Sequence, residues 1–132
     1  KLEDFFRFDQ ILLDAPCSGS GTILLDEPAS YRAFSEKLVR NSAVTQLALL
    51  KKALTILKRG GTMVYSTCSI LNTENENVVR AALKGAHAHV EPIILPGMET
   101  LPLLPCALEG ALCVRPTAQY EGFFVARIRK DS

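Results

Sequence analysis

Residues 8–21 read FDQILLDAPCSGSG and join a short apolar run to a loop of small residues. The run is rich in Ile and Leu and stops at the carboxylate of Asp14, so we predict a buried strand that ends there. Pro16 begins a turn, and the Gly and Ser residues that follow Cys17 are too flexible for a helix or a strand. This stretch therefore places a carboxylate and a thiol in a loop at the end of a strand.

Outward from this stretch, the next predicted element is a long amphipathic helix. Between about residue 35 and residue 59 the apolar positions step by three and four, which is the period of one helix face. These positions are Val39, Ala43, Leu47, Leu50, Leu54 and Leu57. Gly60 and Gly61 are expected to end the helix, because glycine readily adopts the left-handed conformation found there. The sequence predicts that residues 62–66 form a second strand, which ends just before Cys68.

The rest of the chain predicts a second helix and further strands. Residues 73–76 (TENE) match a capping box, which predicts a short helix that ends near Gly85. Residues 90–95 are predicted as a strand, in which Pro92 indicates an edge position or a bulge. Residues 112–115 and 122–130 predict an antiparallel hairpin. The expected fold class is α/β: an open sheet of parallel strands with two helical crossovers, finished by antiparallel strands.

Composition limits the classes of protein to which the chain can belong. With 132 residues and 14.4 kDa it has the length for one core, and 48% hydrophobic residues with a mean hydropathy of +0.15 exclude disorder. No apolar run approaches the roughly 20 residues of a membrane span, and no targeting leader is visible. A net charge of +1 argues against a strongly basic nucleic-acid binder, so any nucleic-acid contact must be local. Because the chain begins at Lys1, we expect a processed or partial product.

Four cysteines are present, at positions 17, 68, 106 and 113, and no two of them form a C-x-x-C pair. The composition differs from that of a small disulfide scaffold, so we expect reduced thiols and an intracellular protein, whether nucleolar, cytosolic or mitochondrial. Cys106 and Cys113 lack partners at the spacing of metal ligands. We therefore expect no metal site, and packing in the late strands as the role of these two cysteines.

The other two thiols are predicted to meet. In open α/β sheets, ligands collect outside the carboxyl ends of the parallel strands, and this sequence places Asp14 with Cys17 at one such end and Cys68 at another. A thiolate that adds to carbon 6 of a pyrimidine makes carbon 5 nucleophilic enough to accept a methyl group. An acid beside the ring stabilises the developing charge, and loss of the carbon 5 proton then releases the thiol. Two thiols and one carboxylate fit that scheme.

Residues 14–21 (DAPCSGSG) and 60–70 (GGTMVYSTCSI) resemble the signature segments of the Sun family, the Fmu-like and NSUN-like RNA cytosine-5 methyltransferases that use S-adenosylmethionine. Residues 75–79 (NENVV) and 122–126 (GFFVA) are also similar to that family, so the resemblance covers nearly the whole chain. It implies a partial Rossmann-like methyltransferase sheet, with residues 1–132 as the C-terminal part of the methyltransferase domain. The upstream cofactor-binding half is absent from this chain, and a missing N-terminal half or a partner chain is expected to complete the donor site.

The resemblance also implies roles for individual residues. Cys68, in the Thr-Cys motif, would be the covalent nucleophile, and Cys17, in the Pro-Cys motif, would assist release of the methylated product. Asp14 would contact the cytosine and lie beside S-adenosylmethionine, and Pro16 would help to bind that cofactor. DNA cytosine-5 methyltransferases also have a Pro-Cys motif, in which the cysteine is the nucleophile, and spacing alone does not choose between the two thiols. The implied substrate is an unpaired or flipped base in rRNA or tRNA.

Other interpretations of the same residues are weaker. A phosphate-binding loop needs a lysine directly before its Ser or Thr, and a glycine stands there instead. Ser18 as an acyl-transfer nucleophile lacks a histidine, because His87 and His89 follow the second helix and are expected at the surface or at a sheet edge. Cys68 could be a small buried thiol. The second candidate function is a catalytically silent protein that keeps the fold to contact RNA or ribosomal partners, which the near-neutral charge and the missing cofactor segment favour.

Overall fold

A computed structural model describes residues 5–132, and its core is a six-stranded sheet covered by two helices. The strands are β1 (Phe8–Asp14), β2 (Leu57–Thr67), β3 (Ala88–Glu91), β4 (Leu103–Leu104), β5 (Leu112–Val114) and β6 (Phe123–Lys130). The helices are α1 (Glu36–Ile56) and α2 (Glu76–Leu83), and short 3₁₀ turns occur at Ser20–Thr22, Pro28–Ser30 and Met98–Thr100. None of the helices in the described residues is long and apolar enough to cross a bilayer.

The order of the strands confirms the predicted α/β class. The main path through the sheet is β1-β2-β6-β5-β4, and β3 also pairs with β6. β1 and β2 are parallel, whereas β6 is antiparallel to β2, β3 and β5. β3 therefore runs in the same direction as β2, so that α1 and α2 each connect two strands of equal direction. The predicted hairpin of β5 and β6 is present, and β6 lies inside the sheet rather than at its edge.

The core lies between the sheet and the two helices, which contact each other. Residues of α1, α2, β2 and β6 supply its fully buried side chains, which include Leu50, Val79, Tyr65, Phe124, Ala126 and Ile128. Alternate residues of β6 face this core, as the period of two predicts for a strand with one covered face. The ring of Tyr65 meets that of Phe124 edge to face, with centroids 6.2 Å apart.

The end of α1 differs from the prediction. The helix ends at Ile56, and β2 begins at once with the buried Leu57, whereas the sequence predicts a helix to residue 59 that is stopped by Gly60 and Gly61. The two glycines instead allow an irregular start to β2, where the register with β1 shifts between Phe8↔Leu57 and Gln10↔Thr62. Gly60 has a φ of 78°, and a Cβ on Gly61 would lie 2.8 Å from the carbonyl oxygen of Asp9.

Two smaller predictions are also wrong. The capping box at residues 73–76 does not form: α2 begins at Glu76 after Asn75, whose side chain makes no capping bond, and the Glu76 carboxylate instead accepts from the backbone N–H of Ala107 at 3.3 Å. The strand predicted at residues 90–95 occupies Ala88–Glu91 and stops before Pro92. Proline lacks the N–H that a further ladder bond requires, which explains the end of that strand.

Candidate active site

The carboxyl ends of β1 and β2 bring the two predicted thiols together. Asp14 at the end of β1 is the register partner of Ser66 on β2, and the N–H of Ala15 donates to the Ser66 carbonyl at 2.8 Å. Beyond these ends, the Sγ atoms of Cys17 and Cys68 lie 3.1 Å apart, and both cysteines are free and half-buried. The two thiols thus meet at neighbouring strand ends, as predicted, and they share one hydrogen bond.

A close backbone contact holds the glycine-rich loop after Cys17 in place. The N–H of Gly21 donates to the carbonyl of Cys68 at 2.9 Å, and the N–H of Gly122 donates to the carbonyl of Gly21 at 2.7 Å. A Cβ on Gly21 would lie 2.7 Å from the Cα of Gly122, closer than real Cβ contacts. Glycine is therefore required in this loop for close packing, and the loop that we expect to be flexible contains an ordered 3₁₀ turn.

Asp14 and Pro16 lie beside the thiols on the exposed side of the site. The Asp14 carboxylate accepts a hydrogen bond from the Ser66 hydroxyl at 2.9 Å and is otherwise accessible. Pro16 is also exposed, and its carbonyl accepts from the Gln46 amide at 2.7 Å. An accessible carboxylate beside an exposed proline ring suits a ligand with both amino and apolar groups, as S-adenosylmethionine has. These residues fit that cofactor, although their roles stay predictions.

The environment of the thiol pair raises the pKa of Cys17. Burial is the largest cause, and the side-chain hydrogen bond with Cys68 adds to it, which together raise the pKa of Cys17 from 9.0 to about 12. Burial also raises the pKa of the nearby Tyr65, with a further contribution from the negative charge of Glu74. At neutral pH, Cys17 is therefore a protonated thiol that can donate to the sulfur of Cys68.

The residue that joins the two thiol loops is Glu74, which the sequence analysis missed as a site residue. This carboxylate is fully buried and accepts from the N–H and the hydroxyl of Ser18, at 2.7 and 2.5 Å. It also accepts from the hydroxyl of Ser69 at 2.7 Å and from the amide of Gln46 at 3.3 Å. Ser18 follows Cys17 and Ser69 follows Cys68, so one carboxylate binds both loops directly after their cysteines.

Asn75 provides a second connection under Cys68. Its side-chain oxygen accepts from the hydroxyl of Thr67 at 2.6 Å, and its amide donates to the carbonyl of Ser69 at 2.8 Å. Both residues of this Glu-Asn pair are fully buried. The sequence does contain a signal for this network, because two adjacent polar residues closely follow a strand end that carries a thiol. A helix cap, however, accounts for the same two residues. Gln46 could have been recognised more easily as a member of the network, since it is a polar residue among the apolar positions of α1.

The remaining predicted polar residues lie away from the thiols. His87 and His89 are exposed, and His89 lies on β3, where its Nδ1 is 2.9 Å from the Asp131 carboxylate. Cys113 is buried on β5, which raises its pKa to about 11, and Cys106 is half-buried. Within residues 5–132, no group of three His, Cys, Asp or Glu residues is placed to hold a metal ion.

A cleft of about 560 Å³ lies at the opposite end of the sheet, around the start of β1. Its lining includes Arg7, Gln10, Thr62, Arg127 and Arg129 and neither thiol. The thiol pair is therefore separate from this cleft.

Solved structures with this fold include methyltransferases. The structure of NSun6 from Pyrococcus horikoshii with SFG, an analogue of S-adenosylmethionine, superposes with a TM-score of 0.79 and 29% identity, over 96% of this chain and 31% of that chain. A methyltransferase homologue from the same organism gives a TM-score of 0.74 at 36% identity, over 95% of this chain and 40% of that one. The fold and the strand-end thiols thus define a methyltransferase-type α/β protein.

The family follows from the sequence comparison. The family model for the 16S rRNA methyltransferase RsmB/F matches residues 2–129, and the chain belongs to this family. The ribosomal RNA small subunit methyltransferase F of Shewanella piezotolerans is 42% identical over 97% of this chain, and that of Cronobacter sakazakii is 43% identical over 96%. This chain spans about a quarter of the length of these relatives, 27% and 26% respectively. The resemblance to the Sun family is thereby confirmed.

Proposed function

We propose that this chain carries the catalytic thiols of an RNA cytosine-5 methyltransferase that acts on small-subunit rRNA with S-adenosylmethionine as the methyl donor. The observation that carries the proposal is the 3.1 Å approach of the Cys17 and Cys68 sulfurs at the carboxyl ends of β1 and β2. Family membership and the names of the relatives support the class of reaction and the rRNA substrate. The proposed domain assignment is the C-terminal part of the methyltransferase domain.

In this proposal Cys68 is the nucleophile. Its thiolate adds to carbon 6 of the cytosine, and the C6–S bond leaves an electron pair at carbon 5. Cys17 is half-buried and its raised pKa keeps it protonated at neutral pH, so it donates to the Cys68 sulfur and does not compete for the ring. Asp14 presents an accessible carboxylate to the polar edge of the base or to the donor. S-adenosylmethionine supplies the methyl group as an electrophile for carbon 5.

The release step needs a base, and the thiol pair can provide one at that time. Burial is the largest cause of the raised pKa of Cys17, and the hydrogen bond with Cys68 and the charge of Cys68 raise this pKa further. Once the Cys68 sulfur is bonded to carbon it carries no charge and is a poor acceptor, so these two causes no longer act and Cys17 gives its proton to solvent water more easily. Cys17 as thiolate can then remove the carbon 5 proton, and the electron pair that this leaves expels the Cys68 thiolate from carbon 6. The order of the two steps thus follows from the contact between the sulfurs.

Trapping on 5-fluorocytosine RNA tests this assignment. Fluorine at carbon 5 cannot leave as a proton does, so the covalent adduct accumulates on the enzyme. The full-length protein that carries this sequence is incubated with S-adenosylmethionine and a fluorinated small-subunit rRNA transcript. We expect Cys68→Ala to abolish the adduct on a denaturing gel and Cys17→Ala to retain it. The remote half-buried Cys106→Ala is the matched control and should trap normally.

The other outcomes of this experiment have defined meanings. Loss of the adduct in Cys17→Ala alone would make Cys17 the nucleophile, as in the DNA enzymes. No adduct with the unaltered protein, despite binding of the RNA, would favour the catalytically silent RNA- or ribosome-binding protein.

A further inference from the structure

One buried carboxylate, Glu74, lies between the two segments that supply the sulfurs. The segments are far apart in the chain, since Cys17 follows β1 and Cys68 follows β2. The N–H of Gly21 donates to the carbonyl of Cys68, and the Ser20 hydroxyl accepts from the N–H of Ile70 and lies 3.0 Å from the Ser69 hydroxyl. Glu74 adds bonds at the residues that directly follow the two cysteines, because it accepts from Ser18 and from Ser69.

The donors around this position require a hydrogen-bonding side chain. Ser18 presents two donors and Ser69 one, and Gln46 adds a fourth donor from α1. A carboxylate has two oxygens and accepts all four bonds, whereas an apolar side chain would leave these donors unsatisfied. In residues 5–132 all of the donors to Glu74 are uncharged. The network therefore fixes positions by directional hydrogen bonds rather than by charge pairing.

The hydrogen bonds of Gln46 in this network leave one of its own polar atoms unpaired among the described residues. Its amide nitrogen bonds to the Pro16 carbonyl and to Glu74, both acceptors, which fixes the orientation of the amide. The amide oxygen is then buried without a hydrogen-bond partner among the described residues. Buried polar atoms are normally paired, and an exception indicates a position that is held for another reason. Here that reason is the connection of α1 to the loop before Cys17 and to Glu74.

We propose that Glu74 is a positioning residue, which sets the separation of the Cys17 and Cys68 sulfurs and so keeps the proton on Cys17 until the adduct forms. The proposal rests on the thiol roles proposed above. Without Glu74, Ser18 loses both of its bonds to the carboxylate and can move away from Ser69, although Ser69 still contacts Ser20, and the sulfur of Cys17 can shift with Ser18. Cys17 would then be more accessible and would lose the hydrogen bond with Cys68. The groups that act on the Cys17 thiol are the side chain and backbone of Cys68, the backbone of Gly19 and, through its charge, Tyr65.

Glu76 offers a matched control. It is also a buried carboxylate, 2% exposed, and it lies two residues after Glu74. Its hydrogen bond goes to Ala107, away from the thiol loops. A substitution there disturbs the same helix start without touching Ser18 or Ser69.

The test measures alkylation of each cysteine with iodoacetamide at about pH 8, by mass spectrometry of peptides from the 132-residue chain. In Glu74→Ala we expect the rate at Cys17 to rise at least about tenfold, the change in thiolate fraction that one pKa unit gives. Glu74→Gln keeps the length and a carbonyl oxygen, and its amide can donate to the serine hydroxyls, so the rate should stay within about threefold of the unaltered chain. Glu76→Ala should leave it unchanged. An unchanged rate in Glu74→Ala, or an equal rise in Glu76→Ala, would overturn the proposal.

Two further variants keep the test decisive if circular dichroism shows that Glu74→Ala does not fold. Ser18→Ala and Ser69→Ala each remove one hydroxyl donor to Glu74 and leave the carboxylate in place. Each should raise the Cys17 rate by about threefold, since part of the network remains. Normal rates in both folded variants would contradict the role of Glu74.

Alkylation needs neither RNA nor cofactor, so its result is independent of whether the protein methylates RNA. In the full-length protein, the same variants separate positioning from RNA binding. Glu74→Ala should lower kcat for methyl transfer with little change in KM for RNA, because it displaces the thiols and not the surface that the RNA contacts. A rise in KM at constant kcat would contradict positioning of the thiols.

Discussion

Two carboxylates join segments of this protein by different physical means. Glu74 is fully buried and accepts hydrogen bonds from uncharged groups beside both thiols. Glu91, at the end of β3, forms ion pairs with Arg127 and Arg129 of β6 near the surface. Water and salt screen charges at a surface and have little access to a buried network. The loops at the thiol end are thus joined by buried hydrogen bonds between uncharged donors and a carboxylate, whereas the contact of Glu91 with β6 also depends on charge.

The largest predicted effect on stability is at the close contact between Gly21 and Gly122, at the thiol end of the sheet. Gly21→Ala places a Cβ against the backbone of Gly122, which cannot rotate away, and we expect a loss of about 3 kcal/mol in the free energy of unfolding. Gly97→Ala is the control, because a Cβ at Gly97 meets open space; unlike Gly21, Gly97 has a positive φ, 77°. Its loss should be about 1 kcal/mol, from backbone strain alone. Urea unfolding measures both, and equal losses would show that the thiol end is not tightly packed.

A smaller effect is expected from Asn75, the second buried connection. Asn75→Ala removes the acceptor of the Thr67 hydroxyl and the donor to the Ser69 carbonyl, and we expect a loss of about 2 kcal/mol in the free energy of unfolding. The loss should be the same in low and high salt, because no ion pair is involved. Asn77→Ala, at an exposed position of the same helix, should stay within about 0.5 kcal/mol. A loss that disappears in high salt would remove the contrast with Glu91.

The smallest effect is expected at Glu91 and should depend on pH. The hydrogen bond from Arg129 lowers the pKa of Glu91 below 4.5, and the charges of Arg129, Arg127 and His89 add to this. A carboxyl whose pKa is lowered by folding stabilises the fold above its unfolded pKa and loses that contribution as pH falls through the folded pKa. The Tm of the unaltered chain should therefore exceed that of Glu91→Gln at pH 7, and the difference should shrink below about pH 4.5. A difference in Tm that is independent of pH and salt would show that charge is not its source.

The sequence carries much of the fold because its patterns are local. The alternation in β6 and the three-to-four spacing in α1 reflect which side of an element is covered, and burial follows them. The exact end of α1 does not follow, because Gly60 and Gly61 are compatible both with a helix end and with an irregular strand start. The contact of Gly61 with Asp9 that decides between them joins residues about fifty positions apart.

The same distinction applies to the site. Cys17 and Cys68 can be found from the sequence, because each follows a predicted strand and the ends of parallel strands meet. Glu74 could not be assigned in this way, since its partners come from two distant loops and from α1. The residues around Glu74 match a capping box. That local interpretation conceals the long-range hydrogen bonds of Glu74.

The location of β6 matters while the protein is being made. On the ribosome, β1, α1, β2 and α2 emerge first, yet β2 and β3 both find their antiparallel neighbour in β6, which is synthesised last of the six strands. Until then the nascent chain exposes an unpaired strand edge, the kind of surface that chaperones protect from aggregation. Gly122, which precedes β6, also donates to the carbonyl of Gly21 in the loop after Cys17, so this contact near the thiols forms only after residue 122 has been synthesised.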